Sequence, residues 1–167
     1  VLDPTFLWEF NEITCKTKLG EKSIVLYSFD SIADYADEII DYANKHEYEI
    51  VSLAREYRWA NINLPAATEQ EWITCFRNCE VVITDSYHGL VFALKNKKKV
   101  VLISREDKLN KNNGLLEFLG IQMSYYKKGS IDRYLHTETL DYSIINENIK
   151  KRKIESEKYL SEALENL

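Results

Sequence analysis

The chain has 167 residues, 45% of them hydrophobic and 29% charged, an ordinary globular balance for one domain that buries a core without staples. With 22 Lys+Arg against 27 Asp+Glu the net charge is −5. The pI is ≈ 5.3, which argues against a general nucleic-acid binder. No apolar run approaches the ~18 residues of a membrane span. Three cysteines, Cys15, Cys75 and Cys79, form an odd, sparse set that fits thiols in a reducing compartment rather than a disulfide framework. The first residue is Val1 and the single methionine is Met123, and the opening residues do not resemble a signal peptide. Together these features read as a soluble cytoplasmic domain of a larger protein.

Residues 1–20 read as an irregular entry. Pro4 keeps Asp3 extended, and the apolar cluster Phe6, Leu7, Trp8 and Phe10 calls for a partner surface. A β-branched run over 23–28 predicts the first strand. A helix follows over 32–46, with Ile32, Tyr35, Ala36, Ile39, Ile40 and Ala43 on one stripe. Residues 49–54 predict the second strand, and an aromatic loop containing Pro65 runs from 55 to 67. Thr68 and Glu71 have capping-box spacing for a helix to Asn78. The third strand is predicted at 80–84, a helix at 86–95 and the fourth strand at 99–103. A charged loop over 105–113 then leads to a short helix at 114–119 that Gly120 stops. Residues 123–142 give no clear signal. From 144 to the end the pattern is helical, with Ile145, Ile149, Leu160, Ala163, Leu164 and Leu167 on the inner face. Alternating strands and helices predict an α/β fold, an open and mainly parallel Rossmann-like sheet with helices on both faces.

Ligands in such sheets bind beyond the carboxyl ends of the strands. That singles out the loops after the second, third and fourth strands. After the third stands Thr84-Asp85-Ser86-Tyr87-His88-Gly89. Asp85 or Ser86 can cap the helix, and the free N–H groups of its first turn attract an anion. Gly89 allows close approach by backbone or ligand, and His88 can bind a phosphate or carboxylate or act as a general acid. The plainer alternative is that Asp85 and Ser86 only cap and His88 bonds a nearby carbonyl. After the fourth strand, Arg105, Lys108 and Lys111 are candidate anion ligands among Glu106 and Asp107, or simply a solvated loop. After the second, Tyr57, Arg58 and Trp59 suit sugar stacking, or else pack on the rim of the sheet. Cys75 and Cys79, four apart, read as core thiols, because a tetrahedral metal site needs ligands the spacing does not supply. His46 and His136 read as surface residues.

Val1-Leu2-Asp3-Pro4-Thr5-Phe6-Leu7 resembles the VLDP-x-x-L entry to the C-terminal half of the polysaccharide pyruvyl transferase family. Thr84-Asp85-Ser86-Tyr87-His88-Gly89-Leu90-Val91-Phe92 is similar to that family's T-D-S-F-H-G-x-x-F signature. Trp72 matches a recurrent tryptophan, and Arg152-x-x-x-Ser156-x-x-Tyr159-Leu160 is similar to the closing pattern. The resemblance implies one half of a glycosyltransferase-B-like fold. Residues 1–167 would then be a single α/β domain, the C-terminal half of a two-domain protein whose N-terminal domain is a partner across a cleft. It implies transfer of the pyruvyl group of phosphoenolpyruvate to a sugar of a bacterial surface glycan or its lipid- or nucleotide-linked precursor. The products are a pyruvyl ketal and phosphate, with no metal and no cofactor beyond the donor. Asp85, Ser86, His88, Gly89, Arg105, Lys108 and Lys111 would contact the donor, His88 being catalytic, and Tyr57, Arg58 and Trp59 the acceptor. The place of action would be the cytoplasm, up to the inner face of the membrane where glycan precursors are assembled. One departure stands out: Asn112-Asn113-Gly114-Leu115-Leu116 replaces the family's S-R-x-x-x-L-L, removing its usual arginine. Two other readings remain open, a sugar-nucleotide glycosyltransferase half and a non-catalytic glycan-binding domain of the same fold. The lack of a G-x-G-x-x-G element weighs against the first.

Overall fold

The computed structural model describes residues 2–13, 22–29, 32–103 and 109–165. Five strands, β1 (Ser23–Tyr27), β2 (Glu49–Leu53), β3 (Ile62–Leu64), β4 (Val81–Thr84) and β5 (Lys99–Leu102), form one sheet in the order β3-β2-β1-β4-β5. Every pairing is parallel, as expected when strands alternate with crossovers. The helices are α1 (Ala36–His46), α2 (Glu69–Asn78), α3 (Tyr87–Lys95), α4 (Leu109–Phe118), α5 (Ile131–Thr137) and α6 (Tyr142–Glu165). A 3-10 turn at Ile32–Tyr35 leads into α1. No helix among the described residues is long and apolar enough to cross a membrane.

The strands are apolar on both faces because both are covered. In register across β2-β1-β4, Val51, Val25 and Val82 point to one side, into a core shared with Phe6, Phe76, Leu90, Leu94 and Ile145. Their neighbours Ile24, Leu26, Ile50 and Ile83 point to the other, against Ile32, Ile39 and Tyr126. The entry segment belongs to the first core: Phe6 is 2% exposed. Three cations donate to its carbonyls, Arg77 to those of Phe10 and Ile13, Lys95 to Trp8 and Lys153 to Leu7.

The predicted elements from 23 to 103 are present with ends moved by a single residue at most, except that the first helix opens as the 3-10 turn Ile32–Tyr35 and is α-helical only from Ala36; Thr68 and Glu71 form the capping box in full. Four expectations need correction. The loop over 55–67 contains β3, an edge strand of three half-buried residues. The helix expected at 114–119 begins at Leu109, so Lys111, Asn112 and Asn113 are helical rather than loop. The inner face of the last helix is covered only as far as Ser156. Ile145 and Ser156 are buried, whereas Leu160 and Leu164 are 40% and 71% exposed and Ala163 is exposed; Leu167 lies outside the described residues. The segment 123–142, without signal in the sequence, holds α5 and a bridge from Ile103 to Tyr126. His46 is half-buried rather than on the surface: its Nε2 lies 2.7 Å from Asp132 of α5.

Cys75 and Cys79 are both fully buried in the first core. Burial pushes the Cys79 thiol up to about 12, because a thiolate has no solvation there. In a Cys15→Ser chain, iodoacetamide at about pH 8 is therefore expected to leave the native protein unlabelled and to modify both remaining thiols once denaturant opens the core. Labelling of the native chain, read by mass spectrometry, would contradict that burial.

Candidate active site

The order of the strands fixes where a crevice forms. From β1 the chain leaves through α1 on one face of the sheet, and from β4 it leaves through α3 on the other. β1 and β4 are neighbours, so their carboxyl ends flank a topological switch point, where open α/β sheets bind ligands. A cavity of about 390 Å³ lies there. Tyr27 and Phe29 line it from the end of β1, Asp85, Ser86 and His88 from the end of β4, and Lys111 from α4.

The floor of this crevice is tightly fixed. Thr84 Oγ1 donates to Tyr27 O at 2.6 Å and accepts from Ser86 N at 3.0 Å. Ser28 Oγ donates to Asp85 Oδ2 at 2.8 Å, and Thr84 O accepts from Ile103 N at 2.9 Å. From α4, Asn112 Nδ2 reaches Asp85 O at 3.4 Å. The turn from β4 into α3 is thus tied to β1, β5 and α4 at once. Burial, and secondly the Asp85 carboxylate, push the Tyr27 phenol above its ordinary pKa.

Ser86 is the N-cap of α3, but its hydroxyl makes no cap hydrogen bond. The first bond of the helix runs from Leu90 N to Ser86 O. The N–H groups of Tyr87, His88 and Gly89 precede it and have no carbonyl one turn back. Asp85, expected as a capping alternative, instead has a fully buried side chain held by Ser28. The helix N-terminus therefore keeps its donors and its partial positive charge available to an anion. His88 is exposed, with its ring edge-on to Tyr87 at 5.5 Å between centroids.

Gly89 serves packing. A Cβ there would stand 2.1 Å from Thr84 Oγ1 and 3.1 Å from the Tyr27 ring. It lets α3 lie against β4 and β1; the neighbour that comes close is protein.

A second cavity, of about 610 Å³, adjoins the first. Tyr87, His88 and Lys111 line both. Its other walls are Leu2 and Asp3 of the entry and Asn110, Leu115 and Phe118 of α4. The carboxylate of Asp3 accepts from Thr5 N at 2.9 Å. It also lies against the Tyr87 phenol, whose pKa burial and Asp3 push up.

The structure therefore brings Asp85, Ser86, His88 and Lys111 to one crevice, whereas Gly89 lines neither cavity and packs against Thr84. Arg105 and Lys108 lie outside the described residues. The residues that replace the family's usual arginine take other work: Asn112 is buried under Asp85, and Asn113 accepts from the Tyr125 hydroxyl at 2.7 Å. Tyr57, Arg58 and Trp59 are not brought to His88. They lie on the connection from β2 to β3, with Tyr57 and Trp59 stacked at 4.8 Å against the core on the α1 side. Neither cavity lined by His88 includes them. Tyr27 and Phe29 are not singled out by the sequence, because the loop after the first strand becomes important only once β1 is known to pair with β4; Asp3, Tyr87 and Phe118 join the site only because the entry segment, α3 and α4 meet around one cavity.

The sequence profile of the polysaccharide pyruvyl transferase family matches residues 1–107 of the chain. Among curated proteins nothing matches, and no solved structure matches either. The matched residues include the Asp3-Pro4 entry, all five strands and the His88 turn at the head of α3, and on that match the chain belongs to the polysaccharide pyruvyl transferase family.

Proposed function

We propose that this domain binds phosphoenolpyruvate in the crevice between the ends of β1 and β4 and takes part in pyruvyl transfer from it to a sugar, forming a ketal and releasing phosphate. The observation that carries the reading is His88, exposed at an uncapped helix N-terminus on the switch point of the sheet, in a chain of this family. Phosphoenolpyruvate presents a phosphate and a carboxylate on three carbons. The N–H groups of α3 and the ammonium of Lys111, which lines the same crevice, suit such a dianionic group.

The chemistry then assigns His88 a task. As the first sugar hydroxyl bonds to C2 of the donor, the C2=C3 electron pair takes a proton at C3, and His88 supplies it. A second hydroxyl of the same sugar then bonds to C2 as the bond from C2 to the phosphate oxygen breaks. Of the two hydroxyl protons released, one replaces the proton given by His88 and the other leaves with the phosphate. Lys108, by resemblance, Arg105, as a cation of the same stretch of sequence, and Lys111, by position, offset the charge of the leaving group. The acceptor is a glycan or a lipid- or nucleotide-linked precursor.

Amide NMR of the chain tests the donor assignment. Phosphoenolpyruvate is expected to shift the signals of Phe29 and of Ser86–Gly89, and UDP-glucose is expected to shift them less. A stronger response to UDP-glucose would move the assignment to a sugar-nucleotide glycosyltransferase. Lys111→Met is expected to weaken phosphoenolpyruvate binding by about tenfold or more, as for a lost charge-assisted contact, and unchanged affinity in the same titration would remove Lys111 from the site.

A further inference from the structure

We infer that the cavity of about 610 Å³ beside the donor crevice is the acceptor site, and that it takes a pyranose ring with Phe118 as its platform and Asp3 and Asn110 as its hydroxyl ligands. The inference rests on the transfer reading above and adds the second substrate's place.

A saccharide has apolar C–H faces and a polar hydroxyl rim, so its site needs a ring or aliphatic surface beside carboxylate or amide groups. The cavity offers both, with Phe118 and Leu115 on α4 and Asp3 and Asn110 at its polar edge. The volume is larger than that of the donor crevice, about 390 Å³, in keeping with a substrate larger than a three-carbon acid.

Its walls are positioned by contacts outside the cavity. The Arg152 guanidinium lies 4.4 Å from the centre of the Phe118 ring, and its Nε donates to Phe118 O at 3.3 Å. Leu2 N donates to Ser156 Oγ at 2.8 Å, which fixes the backbone leading to Asp3. Arg152 and Ser156, four residues apart on α6, thus hold the two sides of one cavity. Asp3 is further oriented by Thr5 N and the Tyr87 hydroxyl.

The placement meets the demand of the reaction. A ketal needs two hydroxyls of one sugar to reach the same carbon. A ring held in this cavity meets the donor across His88, which with Tyr87 and Lys111 lines both spaces. Such fixed adjacency of two reactants is a large source of rate in a bimolecular transfer.

Amide NMR of the full chain decides it, with methyl β-D-galactopyranoside, methyl α-D-glucopyranoside and methyl α-D-mannopyranoside as probes. At least one is expected to shift Asp3, Asn110 and Phe118 signals without displacing phosphoenolpyruvate. Asp3→Asn and Asn110→Ala, both conservative for folding, are expected to weaken that glycoside by about tenfold and leave phosphoenolpyruvate affinity within about twofold. Shifts centred on Tyr57–Trp59, displacement of phosphoenolpyruvate by the glycoside, no response to any of the three, or variants that bind it as tightly as the parent would each overturn the inference. A glycoside response in the cavity together with no phosphoenolpyruvate response would sink the transfer reading and leave a saccharide site.

Discussion

Replacing His88 with Ala is expected to lower phosphate release from phosphoenolpyruvate, measured with a saccharide acceptor present, by about 10²- to 10⁴-fold. The fold should be untouched. His88 is exposed and, among the described residues, its ring meets only the edge of the neighbouring Tyr87 ring, so the change in stability should stay within about 0.5 kcal/mol. His88→Gln separates the two tasks given to this residue. Glutamine keeps an N–H donor near the N-terminus of α3 but cannot deliver a proton. Recovery of phosphoenolpyruvate affinity without recovery of turnover assigns His88 to proton transfer. Recovery of both assigns it to anion binding alone. Wild-type phosphate release in His88→Ala would remove it from the chemistry.

The parts of this site that were legible in the sequence are those set by local pattern. The β-branched runs around Val25, Val82 and Val101 could only be buried strands, and Thr68 with Glu71 could only begin a helix; each is found in place. What was not legible depends on which strands are neighbours. Val25 lies beside Val82 and not only beside Val51, and nothing local to any of the three dictates that. The switch point, and with it Tyr27 and Phe29, follows from this pairing. β3 escaped because three half-buried residues next to Pro65 carry almost no period. The start of α4 escaped for a related reason. Asn112, Asn113 and Gly114 are weak helix formers, yet Asn112 is helical because its buried amide reaches the Asp85 carbonyl. The stripe of α6 misled in the opposite direction. Its period continues through Leu160 and Leu164, but the domain covers it only as far as Ser156, and periodicity reports a face without reporting what covers it.

Gly89→Ala is expected to destabilise the domain by about 1–3 kcal/mol, the range for overpacking a well-packed site. The sign is not obvious at first. Alanine is the better helix former by about 1 kcal/mol, and Gly89 is in the first turn of α3. The contact decides. The new Cβ would stand 2.1 Å from Thr84 Oγ1 and 2.9 Å from Thr84 Cβ. The hydroxyl cannot swing away freely, because it donates to Tyr27 O and accepts from Ser86 N. Relief requires either breaking that bridge between the ends of β1 and β4 or lifting α3 from the sheet. A double-mutant cycle with Thr84→Ala separates this from a general loss. Thr84→Ala removes the hydroxyl and costs its own hydrogen bonds, about 1 kcal/mol each, but it makes room for the Cβ. The two changes should therefore cost less together than the sum of the singles, as for residues in contact. Thermal unfolding of the four chains reads this coupling directly. Moving α3 by even a fraction of an ångström also moves the Tyr87, His88 and Gly89 N–H groups, so Gly89→Ala should weaken phosphoenolpyruvate in step with its loss of stability, and the double variant should recover part of both. If Gly89→Ala proved as stable as the parent and yet bound no phosphoenolpyruvate, the missing side chain would be space for the ligand rather than for Thr84.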